Sequence, residues 1–140
     1  MRVHGQPYRA GEAMKASVLS FRAAGAFLVA GLICGLVMGI SQDFSTMPAH
    51  AHLNLLGWVS LFLFGIYYRL HPWLEGSRSA HVQVWIWIIG TIIMAIGITL
   101  VQTGHTVGEP IAAVGSITVL LDALFFAGWY FRANATKVSL

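Results

Sequence analysis

Charged side chains are scarce in this chain: Asp, Glu, Lys and Arg make up 9% of its 140 residues, whereas soluble domains average about a quarter. Apolar residues make up 57%, and they fall into four runs of roughly twenty residues each. A soluble domain of this length forms one core and cannot bury four such runs. The composition therefore excludes an ordinary soluble domain and predicts an all-α membrane protein with four transmembrane helices.

Cysteine is almost absent, and several common motifs are missing. The single Cys34 lies inside the first apolar run, so no disulfide can form within the chain. Residues 1–17 contain no apolar core with a small-residue cleavage site, so we expect the first helix to act as an uncleaved insertion signal. The sequence also contains no internal repeat, phosphate-binding loop, zinc motif or nucleophile motif.

The basic residues are few and unevenly placed. All eight Lys and Arg residues cluster around the start of the first run, the link between the second and third runs, and the end of the fourth. The links after the first and third runs contain none, which is the asymmetry of the positive-inside rule. We therefore expect both termini to be cytoplasmic. This topology explains the pI near 9.4, so membrane lipid is an expected partner and nucleic acid is not.

The runs divide the chain into a membrane domain and two short ends. Residues 1–17 mix glycine, proline, tyrosine and charges, which indicates a cytoplasmic arm, and residues 133–140 form a cytoplasmic tail. The transmembrane domain covers residues 18–132. Its four predicted spans are, in order, 21–40, 49–70, 81–101 and 110–131.

Two features of the spans leave their roles open. Gly31, Gly35 and Gly39 share one face of the first span, where small residues allow close helix packing, either within the subunit or between subunits. Asp122 is an ionisable group inside the fourth span, which makes it a functional candidate. It lies roughly 18 Å below Pro110, far from the histidines described next, so we favour a neutral, hydrogen-bonded Asp122 over a proton relay.

Three polar residues lie near the predicted cytoplasmic surface. His71 follows the second span, and His81 and Gln83 open the third. We expect all three to meet water or lipid headgroups rather than a cofactor.

The second span opens with a concentrated polar segment, residues 48–54 (Pro-Ala-His-Ala-His-Leu-Asn). Imidazole is costly to bury in hydrocarbon, so two histidines and an asparagine in an apolar helix need partners. Successive helical residues turn by about 100°, which places His50 and His52 about 200° apart. Unless the first turn is unwound, the pair cannot bind one metal together, and each ring faces its own site.

The chemistry of the segment favours haem. Neutral imidazole is a good ligand for haem iron, copper and zinc, and an apolar setting suits the haem macrocycle. Trp58 and its apolar neighbours would shield the macrocycle, and Gly57, two turns after His50, would leave room for a flat ring. The simpler interpretation of one histidine at a helix start is an interface residue that hydrogen-bonds water. Two histidines followed at once by Asn54 weaken that interpretation.

The second span resembles a known family in its Ala-His-x-His pattern and in residues that follow it, namely Ala49 to His52, Leu56, Gly57, Tyr67, Tyr68 and Pro72. It is similar to the tenth transmembrane helix of the haem-copper oxidase catalytic subunit, subunit I, where this pattern supplies axial ligands to two haems. The whole chain resembles small four-helix membrane proteins labelled cytochrome c oxidase-like. The detailed match covers residues 48–72.

The resemblance implies a cofactor and an assembly. The family's catalytic subunit contains three four-helix arcs about a pseudo-threefold axis, so a four-helix chain resembles one arc and implies a homotrimer in a bacterial inner membrane. Haem b, with its iron, would then be held by His50 of one subunit and His52 of the next. Asn54, Gly57 and Trp58 would lie beside it.

The resemblance is incomplete at the copper centre. The family uses three histidines and a tyrosine there, whereas this chain offers one further histidine, His105, in the loop on the same membrane side. Proton-pumping oxygen reduction is therefore not expected. Copper or another second metal at His105 stays an alternative.

We therefore predict a haem-b-binding membrane cytochrome that binds a diatomic gas or transfers electrons from a donor that the sequence does not identify. One alternative is an oxidoreductase, either a reduced oxidase or a nitric-oxide-handling enzyme with a second metal. Another alternative is a non-catalytic assembly or scaffold subunit whose histidines only hydrogen-bond across helices.

Overall fold

The computed structural model describes the backbone of residues 14–135 and the side chains of residues 14–129. Within these residues the chain is helical apart from short links. We number the α-helices in chain order as α1 (Ala16–Ser41), α2 (Met47–His52), α3 (Leu61–Leu70), α4 (Pro72–Glu75), α5 (Arg78–Gln102) and α6 (Gly108–Ala135), with a π-helix (Leu53–Ser60) between α2 and α3.

Four helices are long and apolar enough to cross a membrane: Ala16–Ser41, Met47–Leu70, Arg78–Gln102 and Gly108–Trp129. The second of them consists of α2, the π-helix and α3 in one unbroken run, which we call the second span. The predicted all-α class and the four apolar helices are thus confirmed. Because α1 begins at Ala16, the last residues of the predicted arm are already helical.

The first helix and the second span pack antiparallel through small residues. Side chains of one helix lie over glycines of the other, so the backbones approach closely. Along the helices, the contacts pair Gly35 with His50, Gly31 with Asn54, Phe27 with Gly57, and Phe21 with Gly65. Two of the three glycines in the predicted stripe therefore pack within the chain, whereas a Cβ at Gly39 would meet nothing within 4 Å.

Helices α5 and α6 form an antiparallel hairpin with direct backbone contact at glycines. A Cβ added to Gly97 would lie 2.6 Å from Cα of Ala112, and one added to Gly115 would lie 2.6 Å from Cα of Met94. Gly108 lies against the Gly97 carbonyl near the link between the helices. Larger residues at these positions would push the two helices apart.

The up-and-down order of the spans gives the bundle two unlike ends. At the first, which we call the basic end, α1 and α5 begin and the second span ends, with the basic residues Lys15, Arg22, Arg69 and Arg78 close by. At the other, the histidine end, α1 leads to the second span and α5 leads to α6. This end holds three histidines and two acids: His50, His52, His105, Asp43 and Glu109.

The buried core is concentrated toward the basic end. The ring of Phe64 meets that of Trp87 edge-on, with centroids 4.8 Å apart, and that of Phe126 at 4.6 Å. Tyr67 adds a contact to Phe126 at 5.0 Å. These rings join the second span, α5 and α6 in one aromatic cluster. Many large apolar side chains on the outer faces of the four spans are exposed, as expected where helices contact lipid.

The short helix α4 ties the basic end together through Glu75. Its carboxylate accepts hydrogen bonds from Ser17 of α1 and, at 3.3 Å, from Arg69, and Lys15 Nζ lies 3.9 Å away. The hydrogen bond from Ser17 outweighs the effect of burial and, with the charges of Arg69 and Lys15, holds the pKa of Glu75 below its usual value. Glu75 thereby links the start of α1 to the end of the second span.

Candidate functional site

The two histidines of the second span lie in regular α-helix and face different neighbours. Helix α2 begins at Met47, and Pro48 lies in its first turn, where a missing N–H costs no helix hydrogen bond. The ring of His50 contacts α1. His52 lies on the side occupied by α5 and α6. The two rings therefore diverge, and they do not face one common metal position.

His50 is half-buried against α1. A Cβ at Gly35 would lie 3.1 Å from His50 Cε1, so the glycine is what allows the ring to approach. Asn54 Nδ2 lies 3.3 Å from Nε2 and 3.4 Å from Nδ1 of this ring, and it donates to the His50 carbonyl at 3.0 Å. Asn54 in turn lies over Gly31, whose Cβ position is 2.5 Å from Asn54 Oδ1. His50 and Asn54 therefore form a polar pair between the two helices.

His52 is held by its own helix. Its Nδ1 lies 2.7 Å from the carbonyl oxygen of Pro48. Because a carbonyl only accepts, Nδ1 is the donor, and Nε2 of the neutral ring keeps its lone pair. Histidines that bind metals are oriented in this way, with one ring nitrogen donating to a backbone carbonyl and the other available to the metal. The orientation of His52 thus suits a ligand role.

An apolar groove borders His52. This cavity, which we call the His52 groove, lies between the second span and α6, is floored by α5 and has a volume of about 440 Å³. Its size falls in the range of about 300 to 1,000 Å³ that is typical of small-molecule sites. The main apolar residues of its walls are Leu55, Leu56, Trp87, Met94, Val119 and Leu120. Because Leu55 and Leu120 are exposed, the groove opens sideways toward lipid.

The π-helix follows directly after His52. Its backbone hydrogen bonds join residues five apart instead of four. Three carbonyls in or beside it also accept a hydrogen bond from a side chain: Asn54 donates to the His50 carbonyl at 3.0 Å, Ser60 to Leu55 at 2.8 Å, and Trp87 to Leu56 at 2.9 Å. Because π-helices are rare and frequently mark functional sites, this one supports a site near the histidines.

The other predicted site residues lie apart from the two rings. Gly57 lies under the ring of Phe27, with its Cβ position 2.5 Å from Cγ of that ring, so the room expected for a flat cofactor is filled within the chain. Trp58 is on the outer face and is 37% exposed. His105 lies in the exposed link before α6, with its Nδ1 3.1 Å from the hydroxyl of Thr103.

The histidines do not belong to a larger metal-binding cluster in the described part of the chain. Among its His, Cys, Asp and Glu residues, no group of three or more is arranged to hold a metal ion. His105 is therefore not brought together with His50 and His52. A bare metal ion would find too few protein ligands beside either ring.

A second polar cluster, which sequence reasoning missed, lies toward the basic end. Tyr68 donates to Gln83 Oε1 at 2.8 Å, and Gln83 Nε2 donates to Asp122 Oδ2 at 2.8 Å. All three residues are buried. Gln83 therefore does not meet water or headgroups as we expected, because its partner Asp122 comes from the following helix. The available signal was that two polar residues inside apolar spans each need a partner.

Comparisons with known proteins give no match: no family model, no curated protein and no solved structure matches this chain.

Proposed function

We propose that this chain is a haem-b-binding integral membrane cytochrome in which His52 is an axial ligand of the iron. The observation that supports this role most directly is that His52, whose Nδ1 lies 2.7 Å from the Pro48 carbonyl, also borders the apolar His52 groove. The contact with the carbonyl holds the imidazole in the tautomer whose Nε2 binds a metal. The adjoining His52 groove provides an apolar space on the side that this ring faces.

The surroundings of His52 fit haem better than a bare ion. Haem brings its own equatorial nitrogens and needs only axial ligands from the protein, which agrees with the lack of a three-residue metal cluster in the described chain. Leu56, Trp87 and Met94 would cover the macrocycle with apolar surface. When bound, haem supplies one-electron redox chemistry or an iron site for a diatomic gas.

The assembly we propose is a homotrimer in which His50 of one subunit and His52 of the next bind the same haem. The two rings diverge from one helix, so a haem bound by both types of histidine needs two chains, and His50 would have to leave its contact with Gly35 of α1. His50 would exchange its contact with Asn54 for the iron. Two histidine ligands favour electron transfer, whereas His52 alone would leave a position open for a gas.

We also propose that the basic end faces the cytoplasm and that the protein lies in a bacterial inner membrane. The described Lys and Arg residues lie toward the basic end, and the histidine end holds only acidic Asp43 and Glu109 among its described charged residues. The positive-inside rule favours this orientation. The haem would then lie in the outer half of the membrane.

Visible spectra of the protein purified from haem-supplied cells test the role of His52. We expect a haem spectrum in the wild type and its loss in His52→Ala. His71→Ala is a matched control, because His71 Nδ1 makes the same contact with its own helix, 2.7 Å from the Tyr67 carbonyl, at the basic end. Colourless wild-type protein, or equal haem content in the two variants, would overturn the proposal.

The role of His50 is tested by the coordination number of the iron. In a shared site, His50→Ala converts six-coordinate iron to five-coordinate iron while haem is retained. Co-expression of His50→Ala chains with His52→Ala chains should restore some six-coordinate haem, because one interface of a mixed trimer then contains both histidines. An unchanged spectrum in His50→Ala would exclude the shared site and leave His52 as the ligand.

A non-catalytic scaffold subunit is the second candidate. The polar pair of His50 and Asn54 supports it, because this pair helps to join α1 to the second span without any cofactor. In that case replacement of both histidines changes neither the haem content of the preparation nor its oligomeric state. Gel filtration combined with the pyridine haemochrome assay distinguishes the two candidates.

A further inference from the structure

His81 connects the first turn of α5 to the chain just before α1. Its Nε2 lies against the backbone carbonyl of Met14, 67 residues earlier in the sequence. Its Nδ1 lies 2.9 Å from the carbonyl of Ser77, one turn earlier. The ring is half-buried, so water can still exchange protons with it. His81 therefore joins two separate segments of the basic end from a position that stays accessible to water.

Both ring nitrogens of His81 face oxygen atoms that can only accept a hydrogen bond. A neutral imidazole has one N–H donor and one lone pair in either tautomer. It could donate to one carbonyl, but its lone pair would then face the other carbonyl oxygen and repel it. The imidazolium has two N–H groups and donates to both carbonyls. The two contacts together therefore require a protonated ring.

Two other histidines share one of these contacts and serve as a comparison. His52 and His71 each place Nδ1 2.7 Å from a backbone carbonyl four residues earlier. A neutral ring satisfies that single contact by donating from Nδ1. In the described part of the chain, His81 differs from both because a carbonyl of another segment also meets its Nε2.

The charges around His81 have both signs. The described titratable groups of the basic end are Lys15, Arg22, Tyr67, Tyr68, Arg69, His71, Glu75 and Arg78. The four Lys and Arg side chains disfavour an imidazolium, but they are exposed, so water and salt screen the repulsion. The Glu75 carboxylate favours it. In α6, described Asp122 accepts a hydrogen bond from Gln83, and Glu109 lies at the histidine end.

We propose that His81 and the Met14 carbonyl form a pH-dependent latch: the imidazolium holds Met14 on α5, and deprotonation of the ring as the pH rises releases it. Residues 1–13 join the bundle at Met14. The pH on the side that the basic end faces therefore decides whether this junction is fixed to α5. The inference stands apart from the haem proposal, because none of the predicted haem residues takes part in the latch.

The start of α1 stays in place when the latch opens. Ser17 donates to the Glu75 carboxylate, and this bond, more than any other contact, holds the pKa of Glu75 below its usual value. The carboxylate is therefore charged throughout the range, about pH 5 to 8, in which histidines change charge. Release at Met14 is thus a local change and not an unfolding of the bundle.

NMR of the wild-type chain in detergent, with isotope-labelled histidine and methionine, tests the latch without any substitution. We expect both His81 nitrogens to carry a proton at about pH 5.5 and one of them to lose it by about pH 8. The carbonyl carbon signal of Met14 should shift in the same step, because it loses a hydrogen bond. Deprotonation of His71 should leave that signal unchanged. A Met14 signal that does not follow the protonation of His81 would overturn the proposal.

A nitroxide label at Met14→Cys measures the release itself, in a chain that also carries Cys34→Ser. The label replaces the side-chain contact of Met14 with Arg22 but keeps the backbone carbonyl that His81 binds. We expect slow label motion at the lower pH and a shift to faster motion at the higher pH. His71→Phe, a matched control at the same end, should keep this response.

Two substitutions of His81 separate charge from packing. His81→Phe removes both donors and should give fast label motion at both pH values. His81→Lys keeps a charged donor over this whole pH range and should give slow motion at both. A wild-type label that does not respond to pH, or a response that persists in His81→Phe, would show that His81 does not form the latch.

Discussion

The two halves of the bundle are held together in different ways. Toward the basic end, contacts cross several spans at once: the rings of Phe64, Trp87 and Phe126 meet, and Tyr68, Gln83 and Asp122 are linked by hydrogen bonds. Glu75 adds α1 to the same assembly. In this half, therefore, side-chain contacts connect all four long helices.

Toward the histidine end glycines bring helices together in close pairs, and α2 packs on α5 as well as on α1. Gly31 and Gly35 let the second span pack on α1, and Gly97 and Gly115 let α5 pack on α6. Between the two pairs lies the His52 groove. The comparison teaches that two kinds of contact are separated along the helices: side-chain contacts between several spans hold the half at the basic end, and close approach of backbones at glycines holds the half at the histidine end.

Replacement of Gly115 with Leu should have the largest effect on this arrangement. A side chain at this position meets the backbone of Met94, 2.6 Å from its Cα. Overpacking of this kind costs about 3 kcal/mol and separates α5 from α6. Gly128→Leu is the control on the same helix, because a Cβ there meets nothing within 4 Å. Thermal unfolding in detergent measures both variants, and equal losses would contradict the importance of the glycine contact.

Truncation of Phe64 tests whether the core is concentrated at the basic end. Phe64→Ala removes contacts with two other rings, and we expect a loss of about 2 kcal/mol in the free energy of unfolding. Leu55→Ala, in the wall of the His52 groove, changes an exposed side chain and should cost less than about 0.5 kcal/mol. Detergent-unfolding curves compare the two. Similar losses would mean that the two halves contribute equally.

Removal of the Tyr68 hydroxyl should have a smaller effect. Tyr68→Phe leaves Gln83 Oε1 buried without its donor, at a cost of about 1 kcal/mol. A double-mutant cycle with Asp122→Asn measures the coupling, and we expect the two losses to be non-additive because one hydrogen-bond chain connects the residues. Strictly additive losses of stability would show that the hydrogen bonds of Tyr68, Gln83 and Asp122 do not act as a unit.

Acidification should have the smallest effect, and Glu75 should contribute to it. The pKa of folded Glu75 is lowered from its usual 4.5, so its carboxylate stabilises the fold above that pH, and the stabilisation is lost as the pH falls through the folded pKa. The loss should be below about 1 kcal/mol because its basic partners are largely exposed. Unfolding of the wild type and of Glu75→Gln at neutral and acidic pH measures it. Glu109→Gln should keep the wild-type pH dependence, and an equal pH dependence in Glu75→Gln would contradict the assignment.

The parts of this structure that sequence could predict are those set by one segment at a time. Four long apolar runs separated by polar links give four membrane-length helices, because the length of the hydrocarbon core sets the length of the helix. The divergence of His50 and His52 follows from helix rotation, since both lie in α2.

The parts that sequence could not predict depend on register between helices or on a choice of backbone hydrogen bonds. Phe27 covers Gly57 only because α1 and the second span meet at one particular offset. Gln83 donates a hydrogen bond to Asp122, which lies 39 residues later in the sequence. The π-helix leaves the pattern of apolar residues unchanged, so residues 53–60 gave no sign of it.

The π-helix divides the second span into two α-helical parts: α2, which carries His50 and His52, and α3, which carries Phe64. Each residue occupies about 100° around an α-helix, so a one-residue insertion or deletion between Leu53 and Ser60 would turn both imidazoles about the helix axis relative to Phe64. The aromatic rings near the opposite end would keep their positions. The directions in which His50 and His52 point, and with them the contact of His50 with Gly35, therefore depend on the number of residues between these histidines and Phe64.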